Sequence, residues 1–307
     1  MYSAVVRTCA AFVSLFFAAI FLEAQNSAVK PLQHNQGNED RVWLAVEEQP
    51  RGQLRVEPIA IIDDNELTPI QTSCVSYEET PEETPEDFSA KYLQSSTKYS
   101  LFFGGASIGE GQIGEQNRAA GTASLTYSGP RKLRGQVRAL ATNSQPGDFR
   151  VASREPATVE QRASALALAR EVFSQHGVPE VLLPKVRAEY VTRTYLAPSP
   201  QPSLIGSFSL DSGDNDALIH HLFFIASQPG EKLQPEFLWT HLSESETDEE
   251  VLRLVDHADL FRNGQDEVVA KLVSVETQSH RYLIFRRTRD GAHWEQIFKT
   301  EPLGCSS

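Results

Sequence analysis

Basic charge is scarce in this sequence: 28 Lys and Arg stand against 41 Asp and Glu, which leaves a formal charge of −13. Most of such a surface would repel a polyanion, so nucleic acid is excluded as a general partner. Sulfur is scarcer still, with 3 Cys and 1 Met, and no Cys or second His stands at zinc spacing around any of the 8 His. After residue 22 no apolar run approaches the length that spans ~30 Å of hydrocarbon, so no membrane partner is expected for the rest of the chain. Uninterrupted helical periodicity is missing too. The 17 Pro and 18 Gly, scattered among short apolar runs, argue against a coiled coil, a collagen or an all-helical bundle.

What is present suffices to bury a core, since 40% of the 307 residues are apolar. Arg7 precedes the uncharged apolar run Cys9 to Leu22, which has the length of a signal-peptide core. Residues 1–24 therefore read as a signal peptide with cleavage after Ala24, the alternative being an uncleaved N-terminal anchor, and the protein as exported to the periplasm or extracellular space. Residues 25–40, polar and rich in Asn and Gln, read as a flexible leader. Cleavage leaves two cysteines, Cys74 and Cys305, and an oxidising compartment favours a disulfide between them.

The fold class predicted from the pattern is mainly β (α+β), with antiparallel, meander or sandwich-like parts and one long amphipathic helix between them. An N-terminal β-rich part spans 41–146. It opens with a hairpin, Val42 to Val46 and Leu54 to Ile62, turned at Pro50, Arg51 and Gly52. The Glu-Glu-Thr-Pro repeats between Tyr77 and Asp87 read as an exposed acidic loop, followed by strands at Tyr99 to Phe103, Gly121 to Ser128 and Gly135 to Thr142 with Gly-rich turns between. A linker and helix occupy 147–178: Thr158 and Gln161 form a capping box, Leu166, Ala169, Val172 and Phe173 share one side, and Gly177 and Pro179 end the helix. The C-terminal antiparallel part, 179–307, carries eight strand-like runs. The last two, His280 to Arg287 and His293 to Lys299, are joined at Asp290-Gly291, where a tight hairpin turn with positive backbone angles is expected.

Two catalytic-looking strings overlap between Gly104 and Gly114. Gly105-Ala106-Ser107-Ile108-Gly109 has the Gly-x-Ser-x-Gly spacing of a nucleophile elbow, with Ser107 as the nucleophile. Gly109, Gly111 and Gly114 have the Gly-x-Gly-x-x-Gly spacing of a dinucleotide fingerprint. Each requires a strand before and a helix after, and the glycines that follow read as turns between strands, which explains both strings without chemistry. His220 and His221, adjacent in a strand, should face opposite ways, one to the surface and one to the core. His257 stands between Asp256 and Asp259 at a strand end. Arg281, Arg286, Arg287 and Arg289 crowd the final hairpin, where cross-strand ion pairs with Glu276 and Glu295 are expected.

The run Asp259 to Glu267, followed by the apolar strand Val268 to Val275, resembles the calcium-loop signature of FG-GAP or VCBS-type repeats of integrin-α-like β-propellers, in which an Asp-x-Asp-x-Asp-Gly loop precedes a strand. The resemblance implies calcium as a cofactor, with Asp259, Asn263 and Glu267 offering oxygens and Gly264 making the turn. Phe261 stands where those repeats place a carboxylate, and the signature occurs once, whereas a propeller requires several blades. Apart from that calcium the sequence calls for no cofactor, and its partners are unknown. These features together read as a non-enzymatic binding or structural protein, exported and without a catalytic site; the alternative is a secreted serine hydrolase acting through Ser107.

Overall fold

A computed structural model describes residues 40–70, 84–130, 138–145, 150–212, 218–228, 230, 232–245 and 247–304. The expected signal peptide, the expected leader up to residue 39, and the two cysteines of the expected disulfide, Cys74 and Cys305, lie outside the described residues. The fold is mainly β with antiparallel pairing throughout, as the sequence pattern predicts.

The first sheet contains β1 (Arg41–Glu48), β2 (Leu54–Asp63), β3 (Glu66–Thr68), β4 (Lys98–Phe103), β5 (Ala106–Asn117), β6 (Thr122–Ser128) and β7 (Arg138–Thr142). Its strands run β1-β7-β4-β5-β6-β2-β3, and β1 pairs again with β2, so the ladder closes into a ring of six with β3 attached at its side. Closure removes the open edges that would otherwise invite pairing with other chains. Alternation along β1 follows from it. Val42, Leu44 and Val46 point into the ring with Leu101, Ile113 and Leu125, while Trp43 and Ala45 point out.

Helix α1 (Pro85–Tyr92) supplies Phe88 and Tyr92 to the ring's core. Its first residues fall inside the stretch expected to be an exposed acidic loop, and the correction has a local cause. Thr84 accepts the Asp87 amide while the Asp87 carboxylate takes the Thr84 amide, a reciprocal cap, and Pro85 enters where its missing N–H costs nothing. The Gly-rich stretch is likewise β5, not a series of turns. Gly111 is opposite Tyr99, and a Cβ there would stand 2.7 Å from both Leu101 and Leu125, so the crowded interior of the ring demands glycine within a strand.

The second sheet has β8 (Glu155–Pro156), β9 (Arg187–Tyr195), β10 (Pro202–Asp211), β11 (Ile219–Ser227) and β12 (Gln234–His241), and between β8 and β9 runs α2 (Val159–Gln175). The Thr158–Gln161 capping box forms at the start of α2 as expected. Ala165, Ala169, Val172 and Phe173 pack α2 on one face of this sheet, over the stacked rings of Phe208 and Phe224.

The third sheet is a meander of β13 (Glu250–Ala258), β14 (Glu267–Ser274), β15 (Ser279–Arg287) and β16 (Trp294–Lys299). It is covered on both sides. Val255, Val269, Tyr282 and Ile284 meet the outer face of the ring at Trp43, Phe102 and Leu140; Leu254, Val268, Ala270, Leu283 and Phe285 meet the second sheet at Ile205, Phe223 and Ile225. Sequence segment 179–307 thus folds into two separate layers, and α2, which follows the ring strands and precedes β9 in the chain, packs on the face of the second sheet that points away from the third. The β15–β16 hairpin forms where Asp290-Gly291 placed it, but by a different turn: Thr288 C=O accepts the Gly291 amide at 2.8 Å, and Gly291 alone has positive φ, 72°.

Candidate functional site

His257, flagged by its flanking acids, follows a bulge in β13 that re-aims the strand end inward. Its ring is fully buried. Nδ1 lies 3.1 Å from Asp266 Oδ2, and Nε2 lies 2.6 Å from the Thr194 hydroxyl on β9, which in turn lies 2.8 Å from Ser153 Oγ. Facing a carboxylate, Nδ1 carries a proton, and Nε2 shares its hydrogen bond with the Thr194 hydroxyl. Asp266 also accepts the Ala197 amide at 3.0 Å and Arg150 Nη1 at 2.6 Å. A continuous polar line, Ser153–Thr194–His257–Asp266–Arg150, therefore runs through the meeting of the second and third sheets with the ring.

The ring's contribution is the turn Gly104–Gly105. Gly105 has φ +78°, and a Cβ on it would stand 2.6 Å from His257 Cε1 and 3.4 Å from Asp266 Oδ2. The Gly104 amide donates to both oxygens of the fully buried Asp256, at 3.1 and 2.9 Å. Glycine is required here because backbone, not side chain, packs against the imidazole. Burial would raise the Asp266 carboxyl, yet the His257 hydrogen bond and charge, the Ala197 amide and Arg150 hold it below the usual range. For Asp256 burial wins and pushes the carboxyl up, against the pull of Arg154 and His257.

Hydroxyl, imidazole and carboxylate in this order match the polarity of a catalytic triad. The exposure does not. Thr194 and His257 have no solvent-accessible surface, so the hydroxyl bonded to the imidazole cannot meet a substrate. Ser153 lines a small cavity of about 190 Å³ beside Arg150 and Pro198, but it reaches the ring only through Thr194.

Ser107 is exposed on β5, which continues for ten residues beyond it, so the strand–turn–helix of a nucleophile elbow is not built there. Gly109, Gly111 and Gly114 belong to the same strand and precede no helix that could face a pyrophosphate. Of the expected calcium ligands, Asp259 accepts the Asn263 and Gly264 amides at 2.9 and 2.8 Å and lies 3.4 Å from Arg150 Nη2. The Asn263 side chain accepts the Gln265 amide at 2.9 Å. Glu267 accepts the Leu260 amide and Arg286 Nε, both at 2.9 Å. Arginines and amides thus already occupy these oxygens, and among the described residues no group of three or more His, Cys, Asp or Glu is arranged to hold a metal. Burial pushes the Glu267 carboxyl up to about 7 in spite of Arg286.

The arginines of the last hairpin pair elsewhere than with Glu276 and Glu295: Arg286 with Glu267, and Arg287 with Glu236 at 2.5 Å. His221 is buried against Glu249, 2.9 Å away, while His220 is half-buried, so one of the two faces inward as expected. A buried carboxylate away from the His257 line, Glu57 on β2, receives Tyr282 Oη at 2.6 Å and lies 2.8 Å from His280 Nε2, tying the ring to the third sheet.

A cleft of about 790 Å³ opens beside the polar line, lined among others by Arg138, Arg154, Arg162 and Arg253, with Phe103 and Tyr190 adding aromatic surface. Residues 138 to 253 are too far apart in sequence for any local spacing to announce them. Arg154 links the two regions. Its Nη1 donates to Val255 C=O at 2.7 Å, and its guanidinium lies 5.3 Å from the Phe103 ring centroid.

No protein family, curated protein or solved structure matches the chain.

Proposed function

We propose that the chain is an exported, non-catalytic ligand-binding protein of the periplasm or extracellular space. The observation that carries this reading is the closure of the Thr194–His257–Asp266 line: its nucleophile-like hydroxyl and its base are both inaccessible. Catalysis by this constellation would require a reacting atom within hydrogen-bond reach of the base, whereas Thr194 caps Nε2 and the Gly105 backbone packs against Cε1 and Nδ1. An open cleft in which arginines outnumber acids supports ligand capture. The apolar run Cys9 to Leu22 supports export.

The test is to collect the exported chain, which should begin at or near Gln25, and assay it against activated esters and casein. No turnover above the uncatalysed background is expected. Hydrolysis that disappears in Ser107→Ala or Ser153→Ala would overturn the reading in favour of a secreted serine hydrolase.

A further inference from the structure

We propose that the cleft lined by Arg138, Arg154, Arg162 and Arg253 binds a small organic polyanion carrying two or more carboxylate, sulfate or phosphate groups. This deepens the ligand-binding reading and rests on it. The argument begins with charge. In a chain with a net charge of −13, this lining has four arginines against two acids, Glu155 and Glu189.

Both acids are already engaged. Glu189 lies 3.3 Å from Arg253 Nε, and Glu155 lies 3.5 Å from Arg193, a residue outside the lining. Arg138 and Arg162 have no carboxylate within ion-pair distance among the described residues. Arg154 lies 3.7 Å from the buried Asp256, which leaves Arg138 and Arg162 as the two without a counter-ion among the described residues. A guanidinium cannot shed its charge by a pKa shift, so setting these two in one cleft costs free energy that a bound anion returns.

The groups are also held in place. Arg162 is tethered through Nε to Ala157 C=O at 3.1 Å, and Arg154 is fixed by Val255 C=O and the Phe103 face. A planar, anchored guanidinium presents a fork that carboxylate, sulfate and phosphate oxygens accept in pairs. The cleft has the volume of a metabolite site, and Phe103 and Tyr190 supply surface for a carbon skeleton. A long polyanion such as nucleic acid would meet the acidic surface around it.

Calorimetric titration of the exported chain at low salt, with citrate and with pyrophosphate as probes, tests the assignment. At least one probe should bind saturably at one site, with affinity that falls as salt is raised. The double variant Arg138→Gln/Arg162→Gln should weaken that binding about tenfold or more at an unchanged melting temperature. The single variant Arg162→Gln, at the exposed start of α2, gives the same readout with less risk to folding. Saturable binding of neither probe, or equal binding by wild type and variants, overturns the proposal. An empty titration leaves the non-catalytic reading standing, whereas serine-dependent ester turnover would sink that reading without touching this cleft.

Discussion

The His257 line and the arginine cleft are neighbours built from similar side chains, and they differ in how completely those side chains are partnered. Along the line, Asp266 has an imidazole, an amide and a guanidinium around it, and His257 uses both ring nitrogens. In the cleft, Arg138 and Arg162 face solvent without an acid, in a protein that has acids to spare. A satisfied polar cluster behaves as core and fixes how layers dock, whereas unmatched charge held in place is where a ligand has something left to do. On the proposed ligand-binding reading, the triad-like line is the structural half of this pair and the arginine cleft is the functional half.

Removing charge on each side is the sharpest way to break the comparison. Asp266→Ala leaves His257 and Arg150 without their shared carboxylate and should cost about 3–5 kcal/mol in urea unfolding. Arg162→Gln in the cleft should stay within about 0.5 kcal/mol of wild type. Near-equal losses would erase the distinction.

Acidity separates two carboxylates that sit side by side in sequence. Glu267 has its pKa raised from 4.5 to about 7, so the folded chain binds its proton more readily than the unfolded one. Stability should therefore rise as pH falls from about 7 to 4.5, by up to about 3 kcal/mol. Asp266 runs the other way. Its carboxyl is held below 3.8, so its contribution is present above that pH and is lost as pH falls through it toward the folded value. Melting temperature against pH should peak between these limits, and Glu267→Gln should flatten only the neutral side. A curve unchanged by that substitution would mean that Arg286 keeps Glu267 ionised throughout.

A smaller effect tests how tightly the line is closed. Gly105→Ala forces a left-handed φ on alanine and drives its Cβ against His257, which should cost about 2 kcal/mol by thermal unfolding. Retention of the wild-type melting temperature would show that the turn yields, and that the imidazole is less sealed than its burial implies.

Much of the layer structure could be read in advance because local chemistry announces it. The Thr158–Gln161 cap, the alternating runs of β9 to β16 and the Asp290-Gly291 hairpin all depend on residues close in sequence. Helix α1 was equally local, with a Thr84–Asp87 cap and Phe88 and Tyr92 one turn apart, but the Glu-Glu-Thr-Pro repeats beside it masked the signal. Strand β5 hid for a different reason, since its glycines answer to crowding inside a ring that no local pattern reveals. The candidate sites were the least legible. His257 stood out between two acids, but Thr194, Asp266 and Arg150 reach it only through the docking of three layers, and the four cleft arginines come from a ring strand, an α2 approach, α2 itself and β13.

The third sheet is last along the chain and middle in the stack, and that order bears on synthesis. Until β13 to β16 emerge, the ring leaves Trp43, Phe102 and Leu140 wet on its outer wall, and the second sheet leaves Ile205, Phe223 and Ile225 wet on its inner one. A nascent chain therefore holds two sticky surfaces apart while waiting for the four strands that glue both. A chain that ended before Glu250 should leave both apolar walls without the strands that cover them, and so be prone to aggregation.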